Sequence, residues 1–218
     1  MRLLVLGASG GCGRWVTDVA AQRGHRVTAL VRPSAMFAAP AGVNVLRGEV
    51  LDPSTLEGAL DGMDAVLCCV GIRRRRPSNP WSGLASPPDL TSRVASSLVD
   101  AMPRRGVRRI IAISAAGVGS SASKVSPINR WLFRHSNIGV AYADLELMEQ
   151  ALRGADLDWL AVRPATLTNG PPTGRQHVVP FYGLLTRIPR ADVATWMLNS
   201  VERPAPFTER TPMIASRG

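Results

Sequence analysis

The chain begins with an apolar run, Leu3-Leu4-Val5-Leu6, that passes directly into glycines at Gly7, Gly10 and Gly13 and then into a stretch of helical period. A glycine at a strand end permits a tight turn, a second lets the main chain approach a pyrophosphate, and a third lets the following helix lie close against the sheet. The helix N-terminus then presents free N–H groups and a partial positive charge to phosphate oxygens. The spacing is G-x-x-G-x-x-G rather than G-x-G-x-x-G, and glycine-rich turns of this kind also occur without a ligand. The rest of the chain has to decide between the two.

A helix is expected over 12–23, a break at Gly24-His25, and a second strand over 26–31 that ends in Arg32. In a dinucleotide fold this strand end meets the adenosine ribose. An Asp or Glu there accepts from a free 2′-OH, whereas an Arg pairs with a 2′-phosphate. Arg32, with no acid beside it, favours NADP(H) over NAD(H); the alternative is a surface arginine without a ligand.

Further along, apolar runs of strand length alternate with helical stretches. Strands are expected at 2–7, 26–31, 43–48, 64–70, 108–114 and 157–163, with helices near 12–23, 53–61, 89–105, 142–153 and 190–201. Asp52-Pro53 supplies an N-cap and a proline at the first helical position. This is the pattern of an α/β chain with a Rossmann-like, doubly wound parallel sheet, and residues 1–218 are expected to form a single domain. Two long irregular stretches, 71–88 and 164–189, follow the fourth and sixth strands. Ligands bind at that edge of open α/β sheets, so these stretches are expected to frame a substrate pocket.

Composition narrows the partners. A chain of 218 residues, 45% hydrophobic and 19% charged, buries an adequate core without staples. Cys12, Cys68 and Cys69 offer neither a disulfide framework nor metal-ligand spacing, and read as small buried apolar residues. No apolar run approaches a membrane span, and Gly7 cuts the N-terminal run before it could serve as a signal-peptide core. A cytoplasmic chain without a membrane partner is expected. The net charge of +10 raises nucleic acid, but the arginines look scattered apart from Arg73-Arg74-Arg75-Arg76 and aromatics are only 5%. No nucleic-acid partner is expected.

Several segments together resemble the atypical short-chain dehydrogenases/reductases, in particular the NmrA-like NAD(P)H-binding proteins and the biliverdin reductase B type of flavin reductase. They are Gly7-Ala8-Ser9-Gly10 through Gly13, Leu30-Val31-Arg32, Gly48 to Asp52, Val70-Gly71, Ile113-Ser114-Ala115, Leu157-Asp158-Trp159 running to Val162-Arg163-Pro164, and Arg190 to Ala194. The resemblance implies that Ser9, Gly10, Gly11 and Cys12 form the phosphate-binding turn, that Arg32 meets the 2′-phosphate, and that Glu49 and Val50 edge the adenine. The family usually carries Asp at the Glu49 position. It further implies Val70, Gly71 and Arg73 along the ribose and diphosphate, Ser114 facing the nicotinamide, and Pro164, Ala165 and Thr166 closing its other side.

The acid–base part departs from the family. Conventional members use Tyr-x-x-x-Lys, in which the ammonium lowers the tyrosine pKa. Here Tyr142 is followed four positions later by Glu146, and Thr166 stands where the flavin reductases have a histidine. Ser114 and Tyr142 are the remaining catalytic candidates, with Lys124, the only lysine, on a loop that could reach them. His25, His135 and His177 read as peripheral, and Arg163 with Asp192 as a structural pair joining the sixth strand to the last helix. The expected activity is NADPH-dependent reduction of a small acceptor such as a flavin, quinone or carbonyl compound, because the cofactor carries that chemistry and little proton transfer is needed. The alternative is a non-catalytic NADP(H) sensor acting on a protein partner. A nucleotide-sugar epimerase or dehydratase is disfavoured, since the tyrosine–lysine pair is missing.

Overall fold

Strand β1 (Arg2–Leu6) sets the architecture, because its side chains alternate between two buried layers. Leu3 and Val5 enter one apolar cluster, Leu4 and Leu6 the other, and all four are fully buried. A strand covered on both faces needs apolar residues at every position, which is why the run lacks polar alternation. The computed structural model describes residues 1–217 and follows the expected order: α1 (Gly11–Gln22), β2 (Arg26–Val31), β3 (Asn44–Arg47), α2 (Pro53–Leu60), β4 (Ala65–Cys68), α3 (Leu90–Arg104), β5 (Arg109–Ile113), α4 (Pro127–Arg134), α5 (Ile138–Arg153), β6 (Asp158–Pro164), β7 (Thr166–Thr168), β8 (Gln176–Val178), β9 (Arg187–Pro189), α6 (Arg190–Val201) and β10 (Met213–Ser216).

The first six strands lie in the order β3-β2-β1-β4-β5-β6, every neighbouring pair parallel. This is the doubly wound, Rossmann-like arrangement. Helices α1 and α6 pack together on one face, and α3 lies between α2 and α5 on the other. The 64–70 strand is shorter than expected, while helix α5 begins earlier, at Ile138.

The larger differences follow β5 and β6. The expected irregular stretch after β6 contains β7, β8 and β9, each of three residues, and β10 extends the sheet beyond β6 in parallel register. β8 and β9 run antiparallel to β10. The segment after β5 forms a 3-10 turn, Gly119–Lys124, and α4, whose N-cap Ser126 accepts from the Asn129 amide at 3.3 Å.

One buried carboxylate fastens two helices. Asp144, on α5 and 3% exposed, accepts from the Thr91 and Ser92 amides at 2.7 and 3.1 Å, and from the Thr91 hydroxyl. It acts as an N-cap for α3 delivered from another helix, replacing the missing side-chain bond of Asp89. Replacing Asp144 by Ala strands those donors in the interior, and a loss of about 3 kcal/mol in urea unfolding is expected.

Candidate nucleotide site and the buried pair beneath it

The turn between β1 and α1 is built by close backbone approach. Gly7 has φ +72°, and a methyl on it would come within 2.9 Å of the Cys69 carbonyl carbon and oxygen at the end of β4. A methyl on Gly13 would overlap the Gly7 carbonyl and lie 2.8 Å from the Ala8 Cα, so α1 can lie this close to β1 only with glycine there. The Gly10 amide donates to Gly7 O at 2.9 Å, and Gly10 as N-cap offers no side-chain acceptor to the first turn of α1. The first-turn donors therefore face outward with no acid among them. Cys12 is buried beneath the turn, and burial, opposed by the nearby Arg190, pushes its thiol up to about 11.

The expected contact residues share one edge of the sheet, because the strands are parallel. Arg32 ends β2 and is exposed; Glu49 is exposed and Val50 half-buried after β3. Val70 is half-buried after β4, where Gly71 and Arg73 are exposed and the Arg73 amide donates to Ser86 Oγ at 2.6 Å. After β6, Pro164 and Ala165 are buried, and the exposed Thr166 bonds Tyr182 at 2.7 Å between hydroxyls. Ser9 is half-buried, and its carbonyl accepts from Arg14 Nε at 3.1 Å.

Three residues were missed in the sequence. Arg14 also donates to Met36 O at 2.9 Å, while Arg47 donates to Pro33 O and Ala35 O at 3.2 and 3.0 Å. These two cations brace the loop that follows Arg32 and have no carboxylate partner among the described residues. Arg190, at the start of α6, lies over Gly11 and reaches Asn169 Oδ1 at 2.6 Å. Arg190 was visible in the sequence only as the head of the Arg190-Ala191-Asp192 motif.

Below the turn the acid–base candidates are engaged with the interior. Ser114, 4% exposed, donates its hydroxyl to Glu149 Oε1 at 2.6 Å. Glu149 in turn holds Arg163 by two bonds, Nε at 2.9 Å and Nη2 at 2.5 Å, and Arg163 Nη1 reaches Ser120 Oγ at 2.9 Å. Both ionic side chains are about 2% exposed. The expected pairing of Arg163 with Asp192 is thereby corrected. Asp192 instead accepts from Thr173, Gly174 and Ser216, and although burial works against ionisation, those bonds hold its carboxyl below the ordinary range. Glu149 lies with Leu145, Met148 and Leu152 on the buried face of α5, which Asp144 shares, so two carboxylates interrupt an apolar stripe. That stripe was the available signal.

Tyr142 donates to Ala116 O at 3.0 Å, and burial drives its pKa upward. Its proton is thus held by a carbonyl and not poised for transfer. Lys124 is exposed on the 3-10 turn, where its carbonyl accepts from the Tyr182 amide. His25 bonds Glu202 at 2.8 Å at the opposite end of the sheet, and His135 caps α4.

A family model described as NAD(P)H-binding matches residues 7–204. The chain is 26% identical over 203 residues to an uncharacterized chloroplastic protein of Arabidopsis thaliana, covering 88% of this chain and 70% of that one. A 69-residue stretch is 39% identical to the photosystem II assembly factor Ycf39 of Synechocystis, covering 31% of this chain and 21% of that relative. Among solved structures it is similar to ChuY, an anaerobilin reductase from Escherichia coli O157:H7, with TM-score 0.77 and 21% identity over 99% of this chain and 97% of that one. It is also similar to a short-chain dehydrogenase/reductase from Veillonella parvula in complex with NADP, with TM-score 0.78 and 18% identity over 100% of this chain and 95% of that one. At these identities the structures establish the fold. No helix among the described residues is long and apolar enough to cross a membrane.

Removing one member of the buried pair leaves the other charged and unpaired. Glu149→Ala is expected to cost about 4 kcal/mol in chemical unfolding, whereas the apolar double replacement Glu149→Leu with Arg163→Met should stay within about 1 kcal/mol of the parent. Cys69, expected to be buried, is only half-buried, whereas Cys12 and Cys68 are buried with their thiols pushed up to about 11, so neither of these two should alkylate appreciably with iodoacetamide at pH 7.5 before the protein unfolds.

Proposed function

Because this chain belongs to the NAD(P)H-binding family, we propose that it is an NADPH-dependent oxidoreductase acting on a small acceptor such as a flavin, a quinone or a carbonyl compound. The observation that carries the coenzyme preference is the cationic corner after β2. Arg32 stands exposed at the strand end, with no carboxylate partner among the described residues, and the loop beyond it is braced by Arg14 and Arg47. A carboxylate there would receive the 2′-OH of NAD(H); three arginines suit a 2′-phosphate.

Support for a diphosphate at the turn comes from α1, which the glycines at 7 and 13 let close against β1 and whose N-cap, Gly10, supplies no side-chain acceptor to the first-turn amides. Ser9, Gly10, Gly11, Cys12 and Gly13 would hold the diphosphate, with Arg190 over it, and Glu49 and Val50 would edge the adenine. Val70, Gly71 and Arg73 would line the ribose. NADPH supplies a hydride when bound. The chain's own part is orientation: Ser114, its proton committed to Glu149, has lone pairs left to accept from a carboxamide N–H, and Pro164, Ala165 and Thr166 exclude water from the opposite side. Tyr142 is retained as a candidate for contact with the acceptor rather than for proton delivery, which suits acceptors needing little acid assistance.

The engaged Tyr142 also favours a second reading, a non-catalytic NADP(H) sensor that acts through a protein partner. Steady oxidation of NADPH with free flavin or quinones supports the reductase, and coenzyme binding without turnover across such a panel supports the sensor. In a tryptophan-fluorescence titration, NADPH is expected to bind at least about tenfold more tightly than NADH, equivalent to about 1.4 kcal/mol. Arg32→Ala should abolish most of that difference, and equal affinities in the parent protein would overturn the role given to Arg32.

A further inference from the structure

The net charge is not spread over the molecule. Three segments leave the C-terminal ends of β4, β5 and β6, at 71–88, 114–143 and 164–191; together they contain ten Arg or Lys and no Asp or Glu, which accounts for the whole formal charge of +10. The remaining residues balance, with sixteen cations against sixteen carboxylates. The cations in excess therefore fall in segments that follow the C-terminal ends of three adjacent strands, at one edge of the sheet.

The same edge carries an apolar surface. Trp81, Ile128, Trp131, Phe181, Leu184 and Leu185 are each between 51% and 81% exposed. Contacts made by α4 and its C-cap connect the segments that carry them. Trp81 donates its indole N–H to His135 O at 2.7 Å, the His135 ring lies 5.1 Å from that of Trp131, and Asn129 on α4 reaches Gly183 O at 3.4 Å. Ile128 and Trp131 project from one side of α4, with exposed Arg130 and Arg134 beside them. Arg75 and Arg76 belong to the 71–88 loop, which is tied to the start of α5 by the Asn137 amide donating to Pro80 O at 3.0 Å.

We infer that this face docks on an anionic lipid surface, with the apolar side chains entering the headgroup boundary and the surrounding arginines meeting lipid phosphates. Tryptophan suits the boundary because its ring is amphipathic, and aliphatic tips at Ile128, Leu184 and Leu185 gain by leaving water. Cations beside an apolar patch add attraction to acidic headgroups. A nucleic acid would use the arginines but not the aliphatic residues, which have no face for base stacking. An absence of spanning segments does not bear on such a peripheral contact.

The test is co-sedimentation of the full chain, without coenzyme, with vesicles of equal parts phosphatidylglycerol and phosphatidylcholine, and with phosphatidylcholine alone. Binding to the acidic vesicles only, weakened by salt, is expected, and Trp131→Ser with Leu185→Ser should reduce it about tenfold. In the unaltered protein, acidic vesicles made with brominated acyl chains should quench tryptophan fluorescence, a readout that needs no variant. The proposal falls if acidic vesicles fail to bind or to quench, or if the double variant binds equally well, which would mark bare charge attraction. It falls equally if the patch is covered by concentration-dependent dimerisation, or if a single-stranded oligonucleotide binds more tightly and displaces the vesicles. NADPH titration of the same double variant is expected to match the parent, so a failure of vesicle docking and a failure of coenzyme binding are separately visible.

Discussion

The contact between Gly13 and the Gly7 carbonyl governs the geometry of the upper sheet. With no Cβ at residue 13, α1 descends against the end of β1, and its first-turn amides are brought to the crevice between β1 and β4. Gly7, in the left-handed region, turns the chain where any side chain would meet Cys69. Arg14, one residue on, braces both the turn through Ser9 O and the loop after β2 through Met36 O. One tight helix–strand approach thus couples, through Arg14, the glycine turn to the loop that follows Arg32.

A second constraint lies deeper. The Ser114–Glu149–Arg163 chain puts two opposite charges in the interior, where each would be costly alone and together they are satisfied by bidentate bonds. It links β5, α5 and β6, and through Ser120 it reaches the 3-10 turn. A rigid ionic support beneath a serine favours positioning over proton transfer. Glu149 accepts directly from the Ser114 hydroxyl, and Arg163 holds Glu149 in place. The Tyr142 hydroxyl is engaged in the same manner, its proton donated to Ala116 O.

The sequence was most legible where local pattern and tertiary role coincide. β1 reads as a buried strand because both faces are covered, and the glycine spacing reads as a turn because backbone approach permits no other residue at Gly7 and Gly13. Asp52 before Pro53 reads as a cap and is one, accepting from the Thr55 amide at 3.0 Å. What escaped depends on partners distant in the chain. β7, β8 and β9 have three residues each, too few for a period, and exist because β10 arrives to pair with two of them. Arg163 could not be matched with Glu149 from spacing, since the choice between Glu149 and Asp192 is made by how α5 and α6 fall on opposite faces of the sheet. Arg190 reaches Gly11 for a similar reason: α6 packs beside α1.

Charge shows how far topology can reorganise a composition. In a doubly wound sheet every β-to-α connection emerges at one edge and every α-to-β connection at the other, so a bias confined to the first set becomes a polarity of the whole molecule. Here the later β-to-α segments hold most of the excess of cations, nine against the single Asp89, while ion pairs such as Arg2 with Asp64 and Arg105 with Glu57 neutralise the opposite edge locally. A dinucleotide needs only part of such a field, at the glycine turn and the ribose corner. Exposed Arg130 and Arg134 of α4, with Arg75 and Arg76 of the 71–88 loop, are given no part in that site and lie among tryptophan, isoleucine and leucine that water disfavours. An apolar surface set among cations in this way matches the acidic and partly apolar boundary of an anionic lipid surface, the partner inferred for this face.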